Sequence, residues 1–336
     1  LVTIKDLAKL AGVSHTTVSR ALNDSPLINP ETKERIKLLA QGMNYSPNFS
    51  ARSLVLDRSY NIGLFFTTLK TGTSAGFFYE SVRGVNEIVK SPYNLVVKGI
   101  DDFEGTYPIT KKNFDGILLM SQSEQDETFI HRVVENGIPI IVLNRQVERV
   151  PVMNMLPDDK GGAFRIVEHL ISSGHKRIAI IEGKETFKST QARREGYLTA
   201  LSENGLSPEE RYRVQGNYTL ESGYTAMKQL LELDQADLPS AVFCCNDEMA
   251  LGAIKAIHER GLRVPEHVSV AGFDDQHISG YTTPALTTVR RPIERIGREG
   301  ALKLLECIET KQMEQQMVLF HTELVIRDSV GRIEGE

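Results

Sequence analysis

Two groups of side chains in this sequence are of types that do chemistry on a partner. The first lies between Gly12 and Leu22, where His15, Thr16, Thr17, Ser19 and Arg20 stand within one short stretch after Ser14. Hydroxyls and backbone amides hold phosphate oxygens, and an arginine can donate to guanine O6 and N7 together. That chemistry is the reading of a DNA groove. The competing reading is the ordinary polar face of a small helical bundle. The second group is spread along the chain at the ends of apolar runs. Asn144 and Arg145 follow IPIIVL, Asp247 follows AVFCCN, Asp274 follows VSVAGF, Tyr218 follows RVQGN, and Arg193 lies in ARREGY. Carboxylates, arginine and asparagine match the paired donors and acceptors of sugar hydroxyls, and a ring stacks on the apolar sugar face. Ends of parallel strands are where open α/β sheets bind ligands. Asp247 or Asp274 could instead cap a following helix.

Covalent catalysis has no support in the pattern. The sequence lacks a GxSxG elbow, a Walker A loop and an HExxH pair. His131, His169, His175, His258, His267, His277 and His321 are scattered and have no partners at ligand spacing. No enzyme activity, no cofactor and no metal are expected.

The elements that must position these residues fall into three zones. Residues 1–45 read as short helices. Ile4, Leu7, Ala8 and Ala11 recur at helical spacing, Gly12-Val13-Ser14 interrupts them, and Val18, Ala21 and Leu22 give a second stripe. Two helices joined by a tight turn make a helix-turn-helix, with Gly12 supplying the left-handed backbone and Ser14 the cap of the second helix. Asn29-Pro30 opens a third helix with Ile36, Leu39, Ala40 and Met43 on its buried face. Residues 46–60 are a polar, basic linker expected to become helical over 48–56 when a partner holds it. From about residue 61 to 330, apolar runs alternate with amphipathic stretches at 81–90, 127–136, 160–173, 190–204, 220–233 and 247–260. That alternation predicts parallel sheets with helices on both faces. About a dozen strands overfill one sheet, so two α/β lobes with a cleft between them are expected.

Charge is distributed unevenly. The 336 residues carry a net charge of −5, yet residues 1–60 hold eight Lys or Arg against five Asp or Glu. A nucleic-acid partner belongs at that end. The chain has no run of about 18 apolar residues, so no membrane span is expected. No basic n-region precedes an apolar stretch, and three cysteines form no disulfide framework. Both features point to the cytoplasm. Cys244 and Cys245, inside AVFCC, read as core.

The run TIKDLAKLAGVSHTTVSRALNDSPLINPETKERI, followed by NYSPNFSARSL, resembles the head and hinge of LacI/GalR-family bacterial transcription regulators. The resemblance continues through FDGILLM, SSGHKRIAIIEG, ARREGY, AVFCCNDEMALGAI, RVPEHVSVAGFDD and TPALTTV, and so covers nearly the whole chain. It implies an all-α helix-turn-helix head plus an α/β effector domain of the two-lobed periplasmic-binding-protein type. The implied lobes are 61–158 with 292–320, and 159–288 with 322–330, with crossings near 156–160, 286–292 and 320–324. The implied activity is sequence-specific repression switched by a small effector, a sugar ahead of a purine, a phosphosugar or a protein co-regulator. The implied partner is a palindromic operator bound by a homodimer.

Residue by residue, the resemblance assigns His15, Thr16 and Arg20 to bases. It assigns Thr3, Ser14, Thr17, Ser19, Asn23 and Tyr45 to phosphates or head packing. Residues 48–56, with Asn48, Ala51 and Arg52, become the hinge helix, and Leu54 becomes an apolar wedge in the minor groove. In the cleft it marks Arg193 and Asp274 most strongly, then Asp247 and Tyr218, with Phe77 and Phe78 as the aromatic segment of the first lobe. Arg194 remains an alternative to Arg193, and Phe77 or Phe78 an alternative as core. Phe187 stands where purine-sensing relatives carry a ligand-contacting arginine, which favours a sugar. Two departures stand out: Gly105 and Pro108 break the helix usual between LVVKG and FDGILLM, and TTLKTGTSAGFF is atypical. The sequence ends soon after IRDSV without a leucine heptad, so a dimer rather than a tetramer is expected.

Overall fold

The computed structural model describes residues 2–22, 24–45, 58–70, 73–101 and 108–333. By internal contacts the chain divides into two units, Leu1–Ser59 and Tyr60–Glu336.

The first unit is three helices: α1 (Ile4–Ala11), α2 (His15–Leu22) and α3 (Pro30–Gly42). Leu7, Ala8, Ala11, Val18, Ala21, Ile36 and Ala40 form its core, with Leu39, Met43 and Tyr45 packed against it. Thr3 and Asp6 close a capping box on α1. Gly12, at φ 65°, ends α1 with its N–H turned back to the carbonyls of Ala8 and Lys9. The Ser14 hydroxyl accepts from the Thr17 amide at 3.1 Å and so caps α2. Asn29 caps α3, and Arg35 donates to the Ala11 carbonyl at 3.0 Å, tying α3 to the end of α1. The hinge positions Asn48, Ala51, Arg52 and Leu54, and also Asn23, lie outside the described residues.

The second unit holds twelve strands among the described residues. They are β1 (Asn61–Phe66), β2 (Asn94–Gly99), β3 (Gly116–Met120), β4 (Ile140–Leu143), β5 (Met153–Pro157), β6 (Ile178–Glu182), β7 (Arg213–Gln215), β8 (Ala241–Cys244), β9 (Ser269–Ala271), β10 (Thr288–Arg290), β11 (Met317–Phe320) and β12 (Glu323–Val325). A six-stranded parallel sheet runs β11-β5-β4-β3-β1-β2, and a four-stranded parallel sheet runs β7-β6-β8-β9. The helices are α4 (Ala75–Ile88), α5 (Glu127–Glu135), α6 (Asp159–Ser172), α7 (Lys188–Glu203), α8 (Leu220–Leu230), α9 (Asp247–Glu259) and α10 (Ile293–Thr310). Apolar clusters lie on both faces of the six-stranded sheet, and a third cluster surrounds the four-stranded sheet.

Two local differences from the sequence expectation, and one agreement with it, have physical causes. A third, two-stranded sheet pairs β10 with β12 antiparallel, where the chain passes between the two larger sheets. The helix expected from residue 81 begins at Ala75, because the Ser74 hydroxyl accepts from the Phe77 amide at 3.2 Å. That places Phe77 and Phe78 in the first turns of α4. Residues 108–113 contain no helix: Asn113 donates to the Pro108 carbonyl at 2.6 Å, and Ile109 and Phe114 plug the core.

Candidate effector cleft and DNA-reading helix

In the first unit α2 turns its polar side outward. His15, Thr16 and Arg20 are exposed, whereas Thr17 and Ser19 are half-buried. Thr3 and Ser14 spend their hydroxyls on caps, and the Tyr45 ring packs into the three-helix core. The arrangement offers an arginine, an imidazole and a hydroxyl along one short helix, the set that can meet base edges in a major groove.

In the second unit a cavity is lined by residues that follow strands of both large sheets. Its lining is Ser74, Phe77, Gln122, Asn144, Ser189, Arg193, Tyr218, Asn246, Asp274 and Arg291, and its volume is about 20 Å³. That is room for about one water. The space is small because side chains close it. Arg291 Nε donates to Asp159 Oδ1 at 2.9 Å, Nη1 to Asp274 Oδ1 at 3.4 Å and Nη2 to Asn144 Oδ1 at 2.6 Å. Arg193 Nη2 reaches Asp159 Oδ2 at 3.3 Å, and its Nη1 donates to the Cys245 carbonyl. The Arg193 guanidinium lies 4.0 Å from the Phe273 ring centroid, and that of Arg291 lies 5.7 Å from the Phe77 ring.

Local backbone geometry delivers these groups. Asn144, Tyr218 and Asp274 follow strand or loop ends with φ of 76°, 73° and 120°. Non-glycine residues adopt such angles only when their surroundings impose them, and they gather at functional sites. The Asp274 amide donates to the Val289 carbonyl at 2.8 Å, which sets Asp274 beside Arg291. Arg193 meets Asp159 because α6 and α7 approach closely at Gly196, where a Cβ would lie 2.3 Å from the Lys160 carbonyl oxygen. Asp158 caps α6 through the Gly161 amide at 2.9 Å, leaving Asp159 for the arginines.

Burial and neighbouring charge set the protonation of the acids. Burial raises Asp274, and the Arg193 and Arg291 guanidiniums pull it back. Burial, reinforced by the Asp274 charge, lifts Glu80 on α4 to about 7. The Tyr218 phenol is pushed to about 12 by burial, and its hydroxyl shares hydrogen bonds with Ser189 and Thr190 at 3.1 and 2.7 Å.

Of the cleft residues marked from sequence, Phe77, Asn144, Arg193, Tyr218 and Asp274 line this cavity. The others stand elsewhere. Phe78 packs on Phe66 with ring centroids 5.3 Å apart, as part of the core. Phe187 lies behind Tyr218, stacked at 5.9 Å and 21°. Asp247 is fully buried and accepts from Gln276 N at 2.8 Å, Ser279 Oγ at 2.6 Å and Thr288 Oγ1 at 2.5 Å. It braces the loop that carries Asp274, and the cap of α9 is Asn246. Arg194 turns away to Glu182 and Glu185. Arg145 lines a neighbouring cavity. Sequence reasoning missed Asp159 and Arg291. Both sit at expected crossings between lobes, a signal that could have marked them. No group of His, Cys, Asp and Glu able to hold a metal occurs among the described residues, and among them no helix is long and apolar enough to cross a membrane.

The comparisons agree with this geometry. Residues 3–48 match the model for bacterial regulatory proteins of the lacI family, and residues 167–330 match a periplasmic binding protein-like domain. The chain is 50% identical over 333 residues to the probable HTH-type transcriptional repressor ExuR of Bacillus subtilis (strain 168), covering 99% of both chains. It is 35% identical over 336 residues to the HTH-type transcriptional repressor PurR of Pasteurella multocida (strain Pm70), covering 98% of this chain and 99% of that one. Among solved structures, the lac repressor dimer bound to operator and the anti-inducer ONPF superposes with a TM-score of 0.82 at 26% identity, over 98% and 99% of the two chains. The transcriptional regulator CelR–cellobiose complex does so with 0.74 at 30%, over 98% and 100%. A helix-turn-helix unit followed by a two-bodied α/β unit, matched end to end by these regulators, makes this chain a member of the LacI family of transcriptional repressors.

Proposed function

We infer that the chain represses transcription as a homodimer on a palindromic operator and that a sugar between its α/β lobes switches its affinity for DNA. His15, Thr16 and Arg20 would read bases, with Thr17 and Ser19 at phosphates. Lobe boundaries of 61–158 with 292–320, and 159–288 with 322–330, fit the strand sets of the two large sheets. The carrying observation is the clasp in which Arg291 holds Asn144, beyond β4, and Asp159, on α6, at once. A ligand that replaces these contacts changes how the two bodies meet, and so biases an equilibrium between arrangements. Arg193, Arg291, Asn144 and Asp274 are suited to sugar hydroxyls, and Phe77 and Tyr218 to its apolar face. The matched transcriptional regulator CelR was solved with cellobiose, a sugar, which supports the same class here.

Calorimetric titration of a panel of mono- and disaccharides tests the reading. One sugar is expected to bind the wild type and to bind Arg193→Ala and Asp274→Ala at least tenfold more weakly. A sugar bound equally by all three proteins would remove the cleft from the account.

A further inference from the structure

Beside the inner cavity lies a larger one of about 310 Å³, within the range of ligand pockets. The two share Asn144 and Ser189, and the larger adds Arg145, Lys188 and the apolar side chains of Leu156 and Leu319. Arg145 differs from the other buried arginines of the cleft. Arg193 and Arg291 bond directly to Asp159, whereas the nearest carboxylate oxygen to Arg145 belongs to Glu127, 4.0 Å away. Arg145 Nε donates to Ser121 Oγ at 2.6 Å and Nη1 to the Gln146 carbonyl at 3.1 Å, while Nη2 is buried with no acceptor.

Of the nearby acids, Glu127 stands 4.0 Å from Nη1, and the other two are engaged elsewhere. Asp126 accepts the Thr67 and Ser121 hydroxyls at 2.5 and 2.7 Å, and Glu124 is held by Lys188. Around the cavity, Asp158 pairs with Arg165 at 3.5 Å and Glu195 with Lys160 at 3.3 Å, leaving Glu148 exposed at the rim. Burial accordingly lowers the Arg145 pKa. A buried guanidinium with an open donor is costly until an acceptor arrives, most of all a charged one. The first turn of α7, which has no side-chain cap, adds its positive end beside Lys188.

We propose that the effector carries an anionic group, a carboxylate or a phosphate, that seats in this outer cavity on Arg145 with Lys188 as the second cation. The proposal rests on the sugar reading of the inner cavity, where the ring of the same molecule sits. Parting the two bodies to admit it breaks the Lys188–Glu124 pair and frees the ammonium.

The test uses the full chain and matched probes by calorimetry: glucose and galactose, their 6-carboxylates, their 6-phosphates, and inorganic phosphate alone. A charged hexose is expected to bind at least tenfold tighter than its neutral parent. Arg145→Gln should erase that margin while leaving neutral-hexose affinity within twofold. Lys188→Gln should reduce it and serves if the first variant misfolds. The carboxylate and phosphate arms identify which anion is used. Phosphate binding that Arg145→Gln abolishes, with no hexose bound, would support the anion site and overturn the sugar reading. Neutral hexoses bound as tightly as charged ones, or a margin unchanged in both variants, would overturn the proposal and leave the sugar reading standing. Binding of no probe at all would overturn both.

Discussion

Arg291 Nη2 donates to Asn144 Oδ1 at 2.6 Å while its Nε donates to Asp159 Oδ1 at 2.9 Å. One guanidinium thus joins the turn after β4 of the six-stranded sheet to the first turn of α6. It lies at the second of the three expected crossings between lobes, between β10 and α10.

Replacing Arg291 with methionine keeps length and removes the charge. The variant is expected to lose about 2–5 kcal/mol of effector binding, the range for deleting one partner of a buried charged pair. Operator binding without effector should persist. Calorimetry with the sugar that the panel identifies measures the first effect and anisotropy the second. Undiminished sugar affinity would place the clasp outside the binding event.

The close approach of α6 and α7 gives a second prediction. Gly196→Ala sets a methyl against the Lys160 carbonyl and the Ala163 side chain. Stability in urea should fall by about 1–3 kcal/mol, as for overpacking, and sugar affinity should fall with it because Arg193 shifts away from Asp159. A variant as stable as wild type would contradict the packing account.

Glu80 predicts a pH effect of definite sign. Burial raises its pKa from 4.5 to about 7, so the folded protein keeps it protonated where the unfolded chain has ionised it. Its contribution to stability is greatest below pH 4.5 and is lost as pH rises through 7. Urea midpoints of Glu80→Gln should therefore gain on those of wild type between pH 5 and 8. A constant gap across that range would mean that Glu80 ionises like an exposed carboxyl.

On α2, Arg20→Ala is expected to weaken operator binding by about 1–3 kcal/mol at fixed salt, the range for a bidentate contact to guanine. Its melting temperature should not move, because Arg20 is exposed. Equal loss on operator and on random duplex would assign Arg20 to phosphate instead.

Much of the fold was legible because local signals agreed with it. GILLM and IPIIVL, and NIGLFF after its first residue, are apolar, as central parallel strands must be, and they became β3, β4 and β1. Gly12 and Asn29 announced a helix end and a helix start by chemistry alone. The start of α4 was missed because Ser74 caps it within a glycine- and threonine-rich stretch that reads as loop. In the cleft, residues at strand ends were visible, since strand direction determines where such ends gather. Asp247 misled because an aspartate after a buried strand looks the same whether it faces ligand or braces a loop; only its three donors tell them apart. Asp159 and Arg291 were invisible as a pair, being 132 positions apart in sequence.

The most direct measurement is fluorescence anisotropy of a labelled palindromic duplex titrated with the full chain at one stated salt concentration, with and without the sugar that calorimetry identifies. The account predicts tight binding to that duplex, weaker binding to random sequence, and an operator affinity that the sugar shifts at least tenfold in wild type but not in Arg193→Ala. Tight operator binding that the bound sugar leaves unchanged would contradict it.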